Sequence, residues 1–458
     1  MTENEDHLTP HIGLEKVHGV PLAYQRSVLR TDPDRLADTL KEIEDIQQAP
    51  ESTVNGLTVK RHPQMEPGYL ELTGSDVDAK DVLDQLRTAL ATKGLSAPLE
   101  LEPVCLADDP DPLVGMPVKH GHGTTREGIY LTGFEPPARS VSDPAAGRRP
   151  VVAVLDTQVR EHPWLGDGEA DDPFWQDARN APDAWVPDFD VPDESGDGQL
   201  THAGHGTFIA GIVRLLAPDA RVLSVPVMHG NGAVEEGHVI KALRWLHDRV
   251  TSEFDDRPDQ FVDVVNLSFG RYLLDEYPID TAELSTVLTD LAEIGVQVVA
   301  SAGNQPVETE VFPAVLSKET AAPGQPGLVS VGARDPDGTP ADYTSTGDWV
   351  TVMAPGTAVV STLPKFFHAV WPPPDDGDGL EKILPDPNFQ ASRIGQWSGT
   401  SFAAAWVSAS IAAKLLEQAT PGSLVDNSPT AAGARASSAL DAVMADLEVW
   451  TTSHGVVD

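Results

Sequence analysis

Three side chains, far apart in the chain, are of the types that together make an activated nucleophile. They are the carboxylate of Asp156 in VVAVLDT, the imidazole of His205 in HAGHGTFIAGIV and the hydroxyl of Ser401 in GTSFAAAW. A serine hydroxyl attacks poorly until a base takes its proton. A histidine base in turn needs a carboxylate to fix its tautomer and stabilise its cation. Taken alone, Ser401 reads as an ordinary helix N-cap, because Ser398, Gly399 and Thr400 are turn and helix-start residues. Phe402 to Ile411 then carries Ala, Val, Trp and Ile with only small serines between, the composition of a buried helix. A hydroxyl at the head of such a helix meets free N–H groups and the positive end of the macrodipole. Both favour the negative charge of an alkoxide or oxyanion.

Elements must bring these positions together. Beyond Pro150, the runs VVAVLDT, ARVLSVPVM, FVDVVNLSFG, VQVVASAGN, GLVSVGARD and WVTVMAPG are short, β-branched and nearly continuous in apolar residues. Such runs are strands buried on both faces of a parallel sheet. GTFIAGIVRLL, VIKALRWLHDRV and TAELSTVLTDLAEIG alternate with them as helices, which predicts an α/β fold with a doubly wound, mostly parallel sheet. Working groups of such sheets gather at the carboxyl ends of strands, where Asp156 and Asn304 both stand.

The N-terminal third has a different texture. Residues 1–35 lack clear periodicity and are expected to be an irregular lead-in. Residues 36–107 read as a small α+β domain, with strands in GLTVKRHP, GYLELTG and PLELEPVCLA and an amphipathic helix in DAKDVLDQLRTALATKG. Residues 108–150, rich in Pro, Asp and Gly, read as a linker and the start of the large domain at 151–450.

Composition narrows the partners. The chain carries 31 Lys and Arg against 71 Asp and Glu, a formal net charge of −40, which argues against nucleic acid or an anionic membrane as partner. No apolar run is long enough to span a bilayer, the first residues do not read as a secretory signal, and the single cysteine, Cys105, permits no internal disulfide. These features lead to an expectation of cytoplasmic localisation.

With Asp156, His205 and Ser401 in that order and ASAGN at Ala300–Asn304 between the last two, the sequence resembles the subtilisin-like serine proteases from about Val151 to Leu416. The resemblance implies a serine endopeptidase acting on peptides or proteins through an acyl-enzyme, with Asp156, His205 and Ser401 catalytic and Asn304 in the oxyanion hole. It also implies that Leu267, Ser268 and Gly270, with Ala302 and Gly303, flank the first specificity pocket. A decoy tests the histidine. GHGT occurs at Gly121–Thr124 and at Gly204–Thr207, but only the second is followed by a sheet-packing helix, FIAGIVRLL, and only it keeps the family order. His122 is therefore read as a loop residue; with His120 it has metal-like spacing but no third ligand nearby.

Three departures mark a divergent branch: Gln158 where the family has glycine after Asp-Thr, Ala405 and Trp406 after the serine, and an insertion at 365–395. No cofactor is required by this chemistry, and no metal ligands are assigned. Calcium, which the family often binds in loops, is compatible with DGEADDPFWQD and DFDVPDESGDG, although neither has EF-hand spacing. The N-terminal domain is expected either to gate the enzyme, as a propeptide-like segment, or to dock a partner protein. A dedicated processing protease of restricted specificity is one version of this reading. The alternative from a different class is a latent or non-catalytic peptide-binding scaffold that keeps the protease fold.

Overall fold

Three of the β-branched runs form strands with no solvent face. In the computed structural model, which describes residues 12–18, 20–48, 57–63, 68–74, 77–95, 98–107, 127–128, 135–140, 144–168, 174–181, 184–186, 202–252, 260–319, 325–364 and 393–453, Val151–Asp156, Val264–Leu267 and Gln297–Ser301 are buried at every position. They belong to a 7-stranded sheet in the order 352–355, 329–334, 297–301, 264–267, 151–156, 221–226, 175–177. Every neighbouring pair is parallel.

The chain builds 221–226 on one side of 151–156 and then crosses to its other side to build 264–267 and the strands beyond. The winding therefore reverses between 151–156 and 264–267. At such a reversal the loops leaving the carboxyl ends of the two strands diverge, which is where open α/β sheets hold their binding crevice.

Helices His205–Leu216, Glu236–Ser252 and Ala282–Glu293 stand where the sequence predicts them. Thr400–Glu417 runs across the sheet, packed on strands 264–267, 297–301, 329–334 and 352–355. Its alanines and serines let it lie close to the backbone below, and twelve of its side chains are buried. The strand Trp175–Asp177 and the long helix Pro429–Ser453 are additions that the sequence reading did not separate out.

Two buried polar features tie this large unit together. Arg148 forks onto both oxygens of Asp263 at 2.6 and 2.8 Å and reaches Asn427 at 2.9 Å, a bidentate geometry that fixes the start of the first sheet strand. His162 accepts from the Trp164 amide at Nδ1 (3.0 Å) and donates from Nε2 to the Arg393 carbonyl (3.0 Å). Burial lowers its pKa to about 4, so the ring is neutral and both nitrogens are used.

The other unit comprises Met1–Cys105 with Arg271–Thr281. Its sheet is antiparallel, with Val20–Thr31 paired to Ile12–Val17, Tyr69–Thr73 and Leu99–Leu106, and Thr58–Arg61 on Tyr69–Thr73. The Ala79–Thr92 helix is capped by the Asp78 carboxylate, which accepts from the amides of Lys80 and Asp81. The expectation of an irregular lead-in at 1–35 is corrected over its described residues. Ile12–Val17 and Val20–Thr31 form a two-stranded ladder, and the longer strand carries side chains buried in the unit's core, a tertiary gain that local periodicity does not reveal.

His120, His122, most of the 365–395 insertion, all of DFDVPDESGDG and part of DGEADDPFWQD, read from the sequence as candidate metal, surface and calcium segments, lie outside the described residues.

Candidate active site

Asp156 is the last residue of its strand and His205 the first of its helix. Both carboxylate oxygens of Asp156 lie 2.8 Å from His205 Nδ1, and Oδ1 also accepts from the Thr157 amide at 2.7 Å. A carboxylate only accepts, so Nδ1 carries a proton, and in the neutral ring the lone pair is on Nε2.

Close packing makes this geometry. Gly204, the helix N-cap, has φ 77°, a left-handed conformation that suits glycine. At Gly206 a Cβ would stand 2.1 Å from the Thr157 carbonyl oxygen, while its amide donates to Thr157 Oγ1 at 2.9 Å. The glycines around His205 thus let the helix start directly against the end of the aspartate strand. Trp397 and Phe402 enclose the imidazole, each with its ring centroid 5.2 Å from that of His205.

Ser401 is the second residue of helix Thr400–Glu417. Its hydroxyl donates to the Ser268 carbonyl at 3.2 Å, and among the described residues it has no hydrogen bond to His205. Ser268 Oγ returns a bond to the Ser401 carbonyl at 3.0 Å.

Asn304 follows strand Gln297–Ser301 by three residues, after Gly303 with φ 102°. Its Oδ1 accepts from the Thr400 amide (2.8 Å) and hydroxyl (2.9 Å). Thr400 Oγ1 also accepts from the Gly303 amide at 3.2 Å. With Oδ1 so occupied, Nδ2 is turned the other way, where it makes a long 3.5 Å contact to the Ala107 carbonyl.

The residues Leu106–Ala107 pair on two sides. Leu106 and Gly270 exchange amide-to-carbonyl bonds of 2.8 and 3.0 Å, and the Ala107 amide donates to the Gly232 carbonyl at 3.0 Å. The structure thus brings Gly232, Gly270 and Asn304 to the Leu106–Ala107 segment, whereas Gly303 bonds to Thr400 and Ser345. Leu267, Ser268 and Ala302 are fully buried.

Two residues escaped the sequence reading. Thr400 was legible only as the neighbour of Ser401, and Gly232 sits in a turn without apolar patterning. The departure at Gln158 also has a local account: its amide donates to Asp177 at 2.7 Å, so a side-chain bond holds the turn after Asp156. Among the described residues, no group of three or more His, Cys, Asp or Glu side chains is arranged to hold a metal ion, and no helix is long and apolar enough to cross a membrane.

The model of the subtilase family, peptidase S8, matches residues 147–441, well over half of the chain. The chain belongs to the subtilase family. Among curated subtilases it is similar to subtilisin E of Bacillus subtilis (strain 168), 28% identical over 187 residues that cover 38% of this chain and 42% of the relative. It is also similar to the cuticle-degrading serine protease of Arthrobotrys oligospora, 26% identical over 219 residues covering 48% and 46%. The chain thus spans less than half the length of these two relatives. Among solved structures it is similar to a cold adapted subtilisin-like serine proteinase at 18% identity and TM-score 0.41, over 68% of this chain and 87% of that one. A lanthipeptide protease is similar at 21% identity and TM-score 0.41, over 62% and 78%.

Proposed function

We propose that this subtilase is a serine endopeptidase in which Ser401 is the nucleophile, His205 the general base and acid, Asp156 its orienting carboxylate and Asn304 an oxyanion donor. The observation that carries the reading is the Asp156–His205 pair, with both carboxylate oxygens on one ring nitrogen. The other nitrogen is left basic at the crevice where Ser401 heads its helix.

In this mechanism Ser401 Oγ leaves the Ser268 carbonyl, gives its proton to His205 Nε2 and bonds to the peptide carbonyl carbon. The carbonyl π electrons move to oxygen, which Asn304 Nδ2 and the Ser401 amide stabilise. Collapse expels the amine, which takes the proton from His205 and leaves an acyl-Ser401. Water then repeats the sequence and releases the acid. Thr400 keeps Asn304 from rotating its oxygen toward the developing oxyanion, where two negative ends would repel.

The reading includes a gated cleft of restricted specificity in a cytoplasmic protein. Leu106–Ala107, bonded to Gly232, Gly270 and Asn304, occupies the geometry that an extended peptide would take, which supports gating in cis. The lone thiol, Cys105, held buried, is consistent with a reducing compartment. Docking of a partner protein on the N-terminal domain, and calcium in the acidic loops, belong to the same proposal.

The test of the activity is Ser401→Ala: peptide hydrolysis should vanish, and hydrolysis that persists refutes the assignment. The same occupation of the cleft also favours a second reading, a latent peptide-binding scaffold. Intact-mass measurement alongside a peptide-library assay separates them. A full-length species that cleaves nothing favours the scaffold. A full-length species with undiminished activity removes the idea of a detachable inhibitor.

A further inference from the structure

Behind Ser401 lies a chain of buried polar groups that the proposed mechanism does not use. Ser408, seven residues further along the same helix, donates from Oγ to Asn266 Oδ1 at 3.0 Å. Asn266 Nδ2 donates to Ser268 Oγ at 2.8 Å. Ser268 Oγ donates to the Ser401 carbonyl at 3.0 Å, and Ser401 Oγ donates back to the Ser268 carbonyl at 3.2 Å. Asn266, Ser268 and Ser408 are each 0% exposed.

The directions are forced. A carbonyl only accepts, so Ser268 must spend its single hydroxyl proton on Ser401 and can only accept from Asn266. That fixes the Asn266 amide with nitrogen toward Ser268 and oxygen toward Ser408, which must then donate. No member can reverse without leaving a buried group unpaired, at a cost that water cannot relieve. Two of the four members sit on the helix that begins with the nucleophile, and the other two on the strand end beside the crevice. The bonds therefore lock the register of one element on the other, two helical turns deep and again at the reacting hydroxyl.

We propose that Asn266 and Ser408 are positioning residues for Ser401. Acting through Ser268, they hold the serine and the Ser268 carbonyl in the one alignment from which a rotation of the hydroxyl reaches His205. The Ser408 hydroxyl bonds to Asn266 and not to the imidazole or Asn304, so its influence on Ser401 runs through Asn266 and Ser268. This inference rests on Ser401 being the nucleophile.

The experiment compares Ser408→Ala, Ser268→Ala and the double variant with the parent protein. It uses a library-selected fluorogenic peptide, a fluorophosphonate probe and hydrogen–deuterium exchange. Ser408→Ala should lower kcat and the labelling rate together, by about five- to tenfold, the loss of one buried hydrogen bond, with KM within about twofold. In the Ser268→Ala background the same change should add almost nothing, because both act through one relay. Exchange at amides 264–270 and 400–404 should quicken in Ser408→Ala while the rest of the sheet keeps its protection.

Losses that multiply in the double variant would overturn the proposal. So would a lowered melting temperature with unchanged kcat and labelling, or unchanged exchange at both segments. Exchange reads the relay even in a protein that hydrolyses nothing. Failure of the proposed activity is thus told apart from failure of this inference, since only the former leaves the parent protein unlabelled. Ser408→Cys, of similar size and with a weaker donor, should fall between parent and Ala; a Cys variant no better than Ala in folded protein would contradict a hydrogen-bonding role.

Discussion

The two halves of the site are held differently. At the histidine, both oxygens of Asp156 grip one ring nitrogen, glycines press the helix onto the strand end, and Trp397 and Phe402 flank the ring. At the serine, the hydroxyl rests on the Ser268 carbonyl, a group with no role as a base. In the proposed mechanism the base is assembled in advance, and the nucleophile is the part that turns. Such a division suits the proposed gating of the cleft by Leu106–Ala107. The costly element, a buried carboxylate–imidazole pair in fixed orientation, is completed by folding, whereas the proposed final step is a rotation of the Ser401 side chain.

Substitutions can break or sharpen this contrast. His205→Ala removes the preassembled base altogether and should lower kcat by about 10⁶-fold in a steady-state peptide assay. Asp156→Asn keeps the ring in place but lets Nδ1 accept, so the wrong nitrogen can be protonated; about 10⁴ in kcat should be lost. Were Asp156→Asn nearly silent, the claim that this carboxylate sets the tautomer would fail.

On the oxyanion side, Asn304→Leu should cost about 10²–10³ in kcat with KM little changed. Thr400→Val, which keeps the amide bond to Asn304 but loses the hydroxyl, should cost about fivefold to tenfold. A larger loss for Thr400→Val than for Asn304→Leu would mean that Thr400 itself contacts the oxyanion.

The smallest expected effect on catalysis comes from His162, which bears on stability instead. Its folded pKa, about 4 against the ordinary 6.5, means that the unfolded chain takes up the proton first as pH falls. Its contribution is complete above pH 6.5 and is lost between 6.5 and 4, up to about 3 kcal/mol. Urea midpoints measured across that range should fall with acid in the parent and much less in His162→Gln.

Much of this was legible before the coordinates. VVAVLD and VVNL read as buried strands because their apolar runs have no polar alternation, and that pattern alone implies a parallel sheet. Asp156, His205, Ser401 and Asn304 sit at element ends, where chain order and texture expose them. The strands at 12–31 were missed because their burial arises from tertiary packing rather than from a local period. The relay through Asn266 and Ser408 was invisible for a related reason. A serine inside an alanine-rich helix looks like small-residue filler until the strand facing it is known. Gly232 likewise gains its place at the cleft only from a turn that sequence patterning does not mark.

The account turns on Ser401 as the nucleophile, and covalent labelling reads that directly. The parent protein should be incubated to completion with a fluorophosphonate, digested and mapped by mass spectrometry, with Ser401→Ala and His205→Ala in parallel. The account predicts a single phosphonylated residue, Ser401, with no labelling in Ser401→Ala and severely slowed labelling in His205→Ala. Modification of another residue, or labelling that survives Ser401→Ala, would contradict it.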